Sequence, residues 1–402
     1  MWFLQTDTLL LMLGMSLLMG LALRLAGERQ RRQRVLRVMP LLDVALLWTV
    51  SEKLTVFYLG YTAVTFGFLW FLRRQRRGRG VWFALLCLGC CVPLVYSRLD
   101  LPALGLVMVG IAYNMLKAID ALYYEYYGGE KIPLERYVNY MLFFPVLTAG
   151  PVFRYREFDK TWDDPVPLDG ERLAEAARRI IRGLFKKVVL AMAATKVLWR
   201  LVGLIPRLRF VAPAAPLVSL AVLFLDMSGY ADIAIGMGYL MGVTVPENFK
   251  KPFASPSFTQ FWRNWHVTVS DWIREHVYVL LGGRKLGRGA AAGVAFAVMV
   301  LMGAWHGFTW LYLVDGVLLG LILALENLMN LTTVNRRKVK RGYFVLRCAV
   351  TVYLFAMNSM VFTLPLREIR LVLGSFFAFW GGGLCCAARA CGFWRCCWPS
   401  SC

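Results

Sequence analysis

Long apolar runs separated by short polar loops dominate the chain. A helix that crosses a membrane needs about 20 apolar residues, so the pattern predicts an all-α, polytopic integral membrane protein with a central cavity. We expect about ten transmembrane or re-entrant helices at that length per crossing. They lie near residues 7–26, 38–72 (a tight pair), 81–97, 101–122, 137–153, 184–205, 211–243, 290–313, 315–332 and 343–376. The first run has no basic segment before it and no small-residue cleavage site, which predicts a retained helix rather than a signal peptide.

Three segments depart from plain hydrophobic helix. Residues 171–187 form an amphipathic stretch with acids early and bases late, as the helix dipole favours; it is predicted to rest on the inner leaflet or to be a solvated loop helix. Residues 258–273 carry aromatic side chains at i, i+3, i+4 spacing, which predicts one helix with an aromatic stripe. Residues 343–376 are interrupted near Pro365, where we expect a helix to end at the surface.

Composition supports the membrane assignment, since 59% of the residues are hydrophobic and only 17% are charged. The net charge of +22 would also suit a nucleic-acid-binding protein. However, Lys and Arg cluster in short loops, at 29–37, 73–79, 178–187, 284–288 and 336–341. Such clusters mark the cytoplasmic face and attract anionic lipid headgroups. We therefore predict membrane lipids as partners, no nucleic acid, and an N-terminus on the outer side.

Six of the ten cysteines fall within residues 385–402. Cysteines of this kind can bind a metal or carry palmitoyl groups, but the tail has no histidine and its spacing fits no zinc pattern. The abrupt change of composition after about Trp380 favours an atypical end, such as a shifted reading frame. The prediction is one integral membrane domain, residues 1–380, and a tail, residues 381–402, with no assigned function.

No phosphate-binding loop, HExxH, paired CxxC or GxSxG motif is present in the sequence. A metal site built from His266, His276 and His306 would lack a suitably spaced carboxylate, so no metal is expected.

His306 lies inside an apolar stretch of residues 290–325. Ionisable groups in membrane segments commonly mark functional sites, although a core histidine bonded to a backbone carbonyl is the alternative. A buried imidazole stays neutral and can take a proton from a hydroxyl group. His266, on a polar stripe beside the aromatic one, or Asn264 could position a substrate or stabilise an oxyanion. A proton relay in a transporter would use the same residues.

Several segments between Gly110 and Glu326 resemble the membrane-bound O-acyltransferase family, in its bacterial polysaccharide-acylating branch, and they occur in the order expected for that branch. They are FFP and AGP at 143–151, RYR at 154–156, SGYADIAIG at 228–236, PENFKKPF at 246–253, FWRNWHVTVSDW at 261–272, YVLLGG at 278–283 and WHG at 305–307. The resemblance implies a multi-pass enzyme of the bacterial inner or plasma membrane. It places the membrane-embedded catalytic histidine on His306 and a second recurrent histidine on His266, and we expect both to be catalytic residues. Asn264, Trp265 and Trp305, beside them, are the expected substrate-binding residues. No family role falls on His276, which we interpret as an interfacial residue.

The resemblance also implies the reactants. No cofactor is expected to be bound; an acyl thioester, as acyl-CoA or on an acyl carrier protein, serves as co-substrate on the cytoplasmic side. The acceptor is a hydroxyl of an envelope glycopolymer, and accessory acyl-transfer proteins are further implied partners. Alginate-type O-acetyltransferases are favoured over teichoic-acid D-alanyltransferases, which the short chain and the run at 305–310 suggest instead. The run GVLLG at 316–320 departs from the family, because Leu319 stands where many relatives have histidine.

Three function classes stay open at this point. The first is acyl transfer with His306 as general base, by direct attack because no Ser or Cys is adjacent to it. The second is a proton-coupled transporter or flippase of envelope precursors. The third is a structural scaffold. Arg284, Lys285 and Arg288 would meet a donor phosphate in the first class, although a topology-anchoring role is favoured for them.

Overall fold

The computed structural model describes residues 6–99, 110–163, 166–282 and 287–380. The sequence-predicted residues Arg284 and Lys285 and the cysteine-rich tail lie outside the described residues. Within them the chain is helical, and the one β-bridge joins Phe249 to Trp265. The helices are α1 (Thr6–Ala26), α2 (Arg29–Leu36), α3 (Met39–Val50), α4 (Glu52–Arg74), α5 (Arg79–Arg98), α6 (Ile111–Gly128), α7 (Leu134–Leu142), α8 (Tyr155–Asp163), α9 (Gly170–Leu184), α10 (Ala191–Leu204), α11 (Ala214–Leu240), α12 (Phe258–Trp262), α13 (Val267–Ile273), α14 (Arg288–His306), α15 (Trp310–Leu328), α16 (Arg341–Thr363) and α17 (Leu366–Trp380).

Seven of these helices are long and apolar enough to cross a membrane. They are α1, α4, α5, α11, α14, α15 and α16. The all-α, multi-pass prediction is confirmed, but the expected count of ten is not. The tight pair at 38–72 exists, yet α3 has only 12 residues, about 18 Å of helix, too short to span the bilayer.

Two further predicted crossings are not single helices in the structure, because the helix is interrupted within each segment. Residues 137–153 contain the end of the nine-residue α7, a 3-10 turn at Phe144–Val146 and extended chain. The segment 343–376 is two helices, α16 and α17, and α16 ends just before Leu364 and Pro365. Proline lacks the amide donor that a continuing helix requires, so the predicted break is confirmed.

The long helix α11 forms the centre of the bundle and packs against α9, α10 and α16. Every residue from 228 to 238 is buried. Glycines allow the close approach: a Cβ at Gly236 would lie 2.9 Å from the Ala176 carbonyl oxygen of α9. The sequence run at 228–236 therefore serves helix packing.

The predicted amphipathic helix is α9, capped by the Asp169 side chain, which accepts from the Arg172 amide at 2.7 Å. Its basic face does not simply rest on lipid. Arg179, Arg182 and Lys186 all contact the buried Asp232 carboxylate of α11, at 2.8, 2.7 and 2.7 Å. A buried carboxylate needs such partners to stay charged, so much of the basic cluster at 178–187 is an internal ion-pair network.

His276 is buried rather than interfacial, contrary to the sequence-based interpretation. Its Nε2 lies 3.0 Å from an Asp120 oxygen of α6, and its ring stacks on Trp272 at 4.3 Å. Asp120 also accepts from the Tyr155 amide at 2.6 Å. This cluster ties α6, α8 and α13 together.

Candidate active site

His266 and His306 line one cavity of about 350 Å³, although 40 residues separate them in the chain. The other lining residues are Ser97, Arg98, Gly110, Ile111, Ala112, Tyr113, Thr148, Met227 and Trp305. Arg98 and His306 are the last residues of α5 and α14. Both helices begin beside basic loops, so the positive-inside rule predicts that the cavity lies towards the outer face.

The backbone around His266 corrects the prediction of one continuous aromatic helix. The stripe is divided between α12 and α13, because His266 has φ of 46°, in the left-handed region that interrupts a helix. Pairing with an extended segment holds the turn: the Lys250 amide donates to the Asn264 carbonyl, and the Val267 amide donates to the Asn248 carbonyl, both at 2.9 Å. Non-glycine residues in this conformation store strain, which commonly occurs at functional sites.

A chain of hydrogen bonds fixes the tautomer of His266. The Val152 amide donates to Thr268 Oγ1 at 2.8 Å, so that hydroxyl donates onward to Asn248 Oδ1 at 2.9 Å. His266 Nδ1 lies 3.1 Å from the same Oδ1, an acceptor, and must therefore carry a proton. In the neutral ring Nε2 is then an acceptor, 3.5 Å from the Tyr113 hydroxyl.

His266 lies outside the seven candidate spans but is buried. Burial lowers the pKa of His266 to about 3, with a further contribution from His306. The imidazole is therefore neutral at physiological pH, and it positions neighbouring groups by hydrogen bonding rather than by charge.

His306 is held by ring packing at the end of α14. Trp305 and Phe362 approach it edge-on, each with ring centroids 4.8 Å away. Below His306, α14 packs closely on α15, where Gly303 and Gly316 face each other; a Cβ on Gly316 would lie 3.3 Å from the Gly303 Cα. Small residues permit such close helix contacts in membranes.

A second, smaller cavity of about 60 Å³ adjoins the first and shares Tyr113 and Met227 with it. Lys187 and Asp226, which form an ion pair, and Asn248 also line it. Lys187 belongs to a π-helical turn, Phe185–Leu190, between α9 and α10. The two cavities thus extend from the outer end of α14 towards the middle of α11.

Of the predicted substrate-binding residues, Trp305 lines the cavity and the other two do not. Asn264 donates to Ser255 Oγ at 3.0 Å. Trp265 packs among aromatic rings, with Phe355 at 5.1 Å and Phe261 at 5.5 Å. Among the described residues no group of three or more His, Cys, Asp or Glu side chains is arranged to hold a metal ion.

Sequence reasoning missed Arg98, Tyr113 and Asn248. Asn248 lay inside the quoted run at 246–253, and its place two residues after Pro246 in a polar stretch was the available signal. Arg98 lies between the predicted spans 81–97 and 101–122, and Tyr113 lies inside the second, so nothing in the pattern indicated that they would meet the histidines.

The sequence profile of the membrane-bound O-acyltransferase family matches residues 35–366. The chain belongs to this family. The predicted resemblance is therefore confirmed. Both histidines and the two cavities lie within the matched residues, and the family assignment agrees with a multi-pass membrane protein.

Curated relatives within the family differ in their named acceptors. A probable alginate O-acetylase of Pseudomonas syringae pv. tomato is 32% identical over 292 residues, covering 71% of this chain and 54% of the relative. A teichoic acid D-alanyltransferase of Streptococcus thermophilus is 29% identical, covering 67% and 70%. A peptidoglycan O-acetyltransferase of Helicobacter pylori is 31% identical, covering 47% and 37%. The chain thus spans about half the length of the alginate O-acetylase that it matches.

Leu319, the position named above as a departure from the resemblance, is buried against the core. Gly316 and Gly320 on either side of it pack against α14. In this chain the run 316–320 therefore contributes to helix packing.

Proposed function

We propose that this protein transfers an acyl group from a thioester on the cytoplasmic side to a hydroxyl of an envelope or extracellular polysaccharide. The observation that carries the proposal is the pair of histidines on the wall of one cavity, in a member of an O-acyltransferase family. The names of the relatives support acyl transfer to glycopolymers.

In the proposed reaction the acceptor hydroxyl attacks the thioester carbonyl carbon while His306 takes its proton. The tetrahedral intermediate collapses, the carbon–sulfur bond breaks, and the thiolate recovers the proton. The product is an ester and a free thiol. The Ser97 hydroxyl on the cavity wall donates its one proton to the Leu94 carbonyl at 2.8 Å. It therefore does not donate to either histidine, as a nucleophile would, and this supports direct attack rather than an acyl-enzyme.

His266 serves as a positioning residue in this proposal. Its Nδ1 is committed to Asn248, so Nε2 can accept a hydrogen bond from Tyr113 or from the acceptor sugar. Trp305 forms a wall of the same space. The second cavity, lined by Lys187 and Asp226, extends the first towards the side from which the donor approaches in this proposal.

We propose acetyl as the transferred group, with D-alanyl as the alternative. The support is sequence identity, which is 32% with the alginate O-acetylase and 29% with the teichoic acid D-alanyltransferase of Streptococcus thermophilus. A transporter has less support, because the carboxylates of the spanning helices already have partners: Asp226 bonds Lys187, Asp232 bonds three cations, and Asp315 bonds Asn358.

The test compares wild type with His306→Ala in cells, measuring ester-bound acetate and D-alanine in the envelope fraction per amount of inserted protein. We expect a loss of at least about 100-fold, in line with removal of a general base. His276→Gln is the matched control, because it removes a buried histidine that does not line the cavity. Unchanged ester content in correctly inserted His306→Ala would refute the proposal, and the ester that disappears identifies the acyl group.

A further inference from the structure

We propose that Arg98 binds an anionic group of the acceptor polymer and so selects acidic glycopolymers, carrying carboxylate or phosphodiester groups, over neutral ones. This inference rests on the proposed function and assigns the substrate class of the same cavity.

The first observation is a pair of buried donors without acceptors at the cavity wall. Arg98 Nη2 donates to the Trp305 carbonyl at 3.1 Å, which fixes the guanidinium beside the end of α14 that carries His306. Arg98 Nε and Trp305 Nε1 are buried and have no hydrogen-bond partner among the described residues. Buried donors are normally satisfied, and two unsatisfied donors at one cavity indicate a ligand that brings acceptors.

The second observation is charge. Among the described residues that line the cavity, Arg98 is the one of fixed charge, and none of them is a carboxylate. None of the ion pairs between described residues includes Arg98, whereas Lys187 in the adjoining cavity is paired with Asp226. A partly buried guanidinium without a counter-ion favours a carboxylate or phosphate, which its planar fork binds with two parallel hydrogen bonds.

The position of Arg98 assigns the anion to the acceptor rather than to the donor. α5 begins at Arg79, beside the basic loop at 73–79, and ends at Arg98 on the opposite side. The polymer lies on that outer side in the proposed reaction, while the thioester carrier lies on the inner side.

A purely structural role makes a different prediction. Arg98 bonds a carbonyl in the last turn of α14, where helix carbonyls lack intrahelical partners. If that bond were its whole purpose, replacing Arg98 would affect anionic and neutral acceptors alike. The comparison between acceptors therefore separates the two roles.

The test measures binding of three oligomers of equal length: oligomannuronate, oligo(glycerol phosphate) and neutral oligomannose. The full-length His306→Ala protein in lipid nanodiscs serves as the binding form, since it holds the cavity without turnover. We expect at least one anionic oligomer to bind about 10- to 100-fold more tightly than oligomannose, as charge-assisted bonds provide. Added salt should weaken that preference.

Variants in the same background test which residues cause the preference for anionic oligomers. Arg98→Gln should abolish it, Arg98→Lys should retain part of it, and Trp305→Phe, which removes the indole donor and keeps an aromatic ring, should weaken it about 3- to 10-fold. Arg207→Gln, an exposed arginine in the loop before α11 and outside the cavity, is the control for lost positive charge on the same side. The anionic oligomer that binds distinguishes a uronate polymer from a phosphodiester polymer.

Equal affinity for all three oligomers, or an equal loss for anionic and neutral oligomers in Arg98→Gln, overturns the inference. Transfer of labelled acyl groups by the protein with His306 intact is measured separately. Arg98-dependent binding without any transfer would support the anion site while refuting the proposed acyl transfer.

Discussion

A single methyl group at the contact between α14 and α15 should displace His306. In Gly316→Ala the new Cβ would lie 2.6 Å from the Met299 carbonyl oxygen and 3.2 Å from the Val300 Cα, where ordinary contact begins at 3.4 Å. The obstacles are backbone atoms, so the helices must separate by about 0.8 Å to relieve the overlap. His306 lies one turn beyond Gly303, which packs on Gly316, and a 1 Å displacement of a reacting group reduces rates by about 100-fold. We expect a 10- to 100-fold loss of envelope esters at that sensitivity.

The assay is ester content per inserted protein, with insertion checked in the membrane fraction. Gly293→Ala in α14 is the matched control, because a Cβ there meets nothing within 4 Å. It should retain wild-type activity. Full activity in Gly316→Ala would show that helix spacing does not set the position of His306, and equal losses in both variants would point to a general effect on α14.

Three further predictions concern the polar networks. Thr268→Val leaves the Val152 amide unpaired and removes the bond from the Thr268 hydroxyl to Asn248. Ester formation should therefore fall about 10-fold, the effect of one buried unsatisfied donor, whereas Thr268→Ser should retain it. Equal losses in the two variants would argue against the hydrogen-bond chain. Asp232→Asn leaves three cations facing a neutral group and should lower unfolding stability in detergent by about 3 kcal/mol, while Asp271→Asn, in an exposed pair, should change it little. The pKa of His266, lowered from 6.5 to about 3, predicts pH-dependent stability. Its neutral form contributes fully above pH 6.5, and the contribution is lost as the pH falls from 6.5 towards 3, because only the unfolded state gains the proton. Melting temperatures of wild type and His266→Gln should therefore converge as the pH is lowered from 8 to 5.

The sequence pattern was sufficient for the class of fold because apolar length alone identifies a membrane helix. It overcounted crossings where an apolar composition is compatible with short or broken helices. Residues 137–153 are apolar, yet Pro145 and Gly150 interrupt them, and their hydrogen bonds are completed within the protein rather than by a continuous helix. Hydropathy does not distinguish burial in protein from burial in lipid.

The candidate site was predictable in its two histidines and not in the residues that orient them. His306 is conspicuous because an imidazole is rare in an apolar run. The predicted companion Asn264 was chosen by its nearness in sequence to His266, but a left-handed residue reverses the chain there and directs Asn264 to Ser255. Asn248, 18 residues away, takes the expected place beside the ring. Periodicity carries no information on such a reversal.

The length of α14 ties the proposed chemistry to the bilayer itself. Its 19 residues span about 28 Å, close to the roughly 30 Å hydrocarbon thickness of a typical membrane, and His306 is the last of them. Thicker or thinner bilayers change the tilt of such a helix, and therefore the depth of the imidazole. His266 is held by hydrogen bonds within the protein and should not follow. Lipid chain length then becomes a variable of the reaction, which reconstitution in lipids of graded chain length would measure.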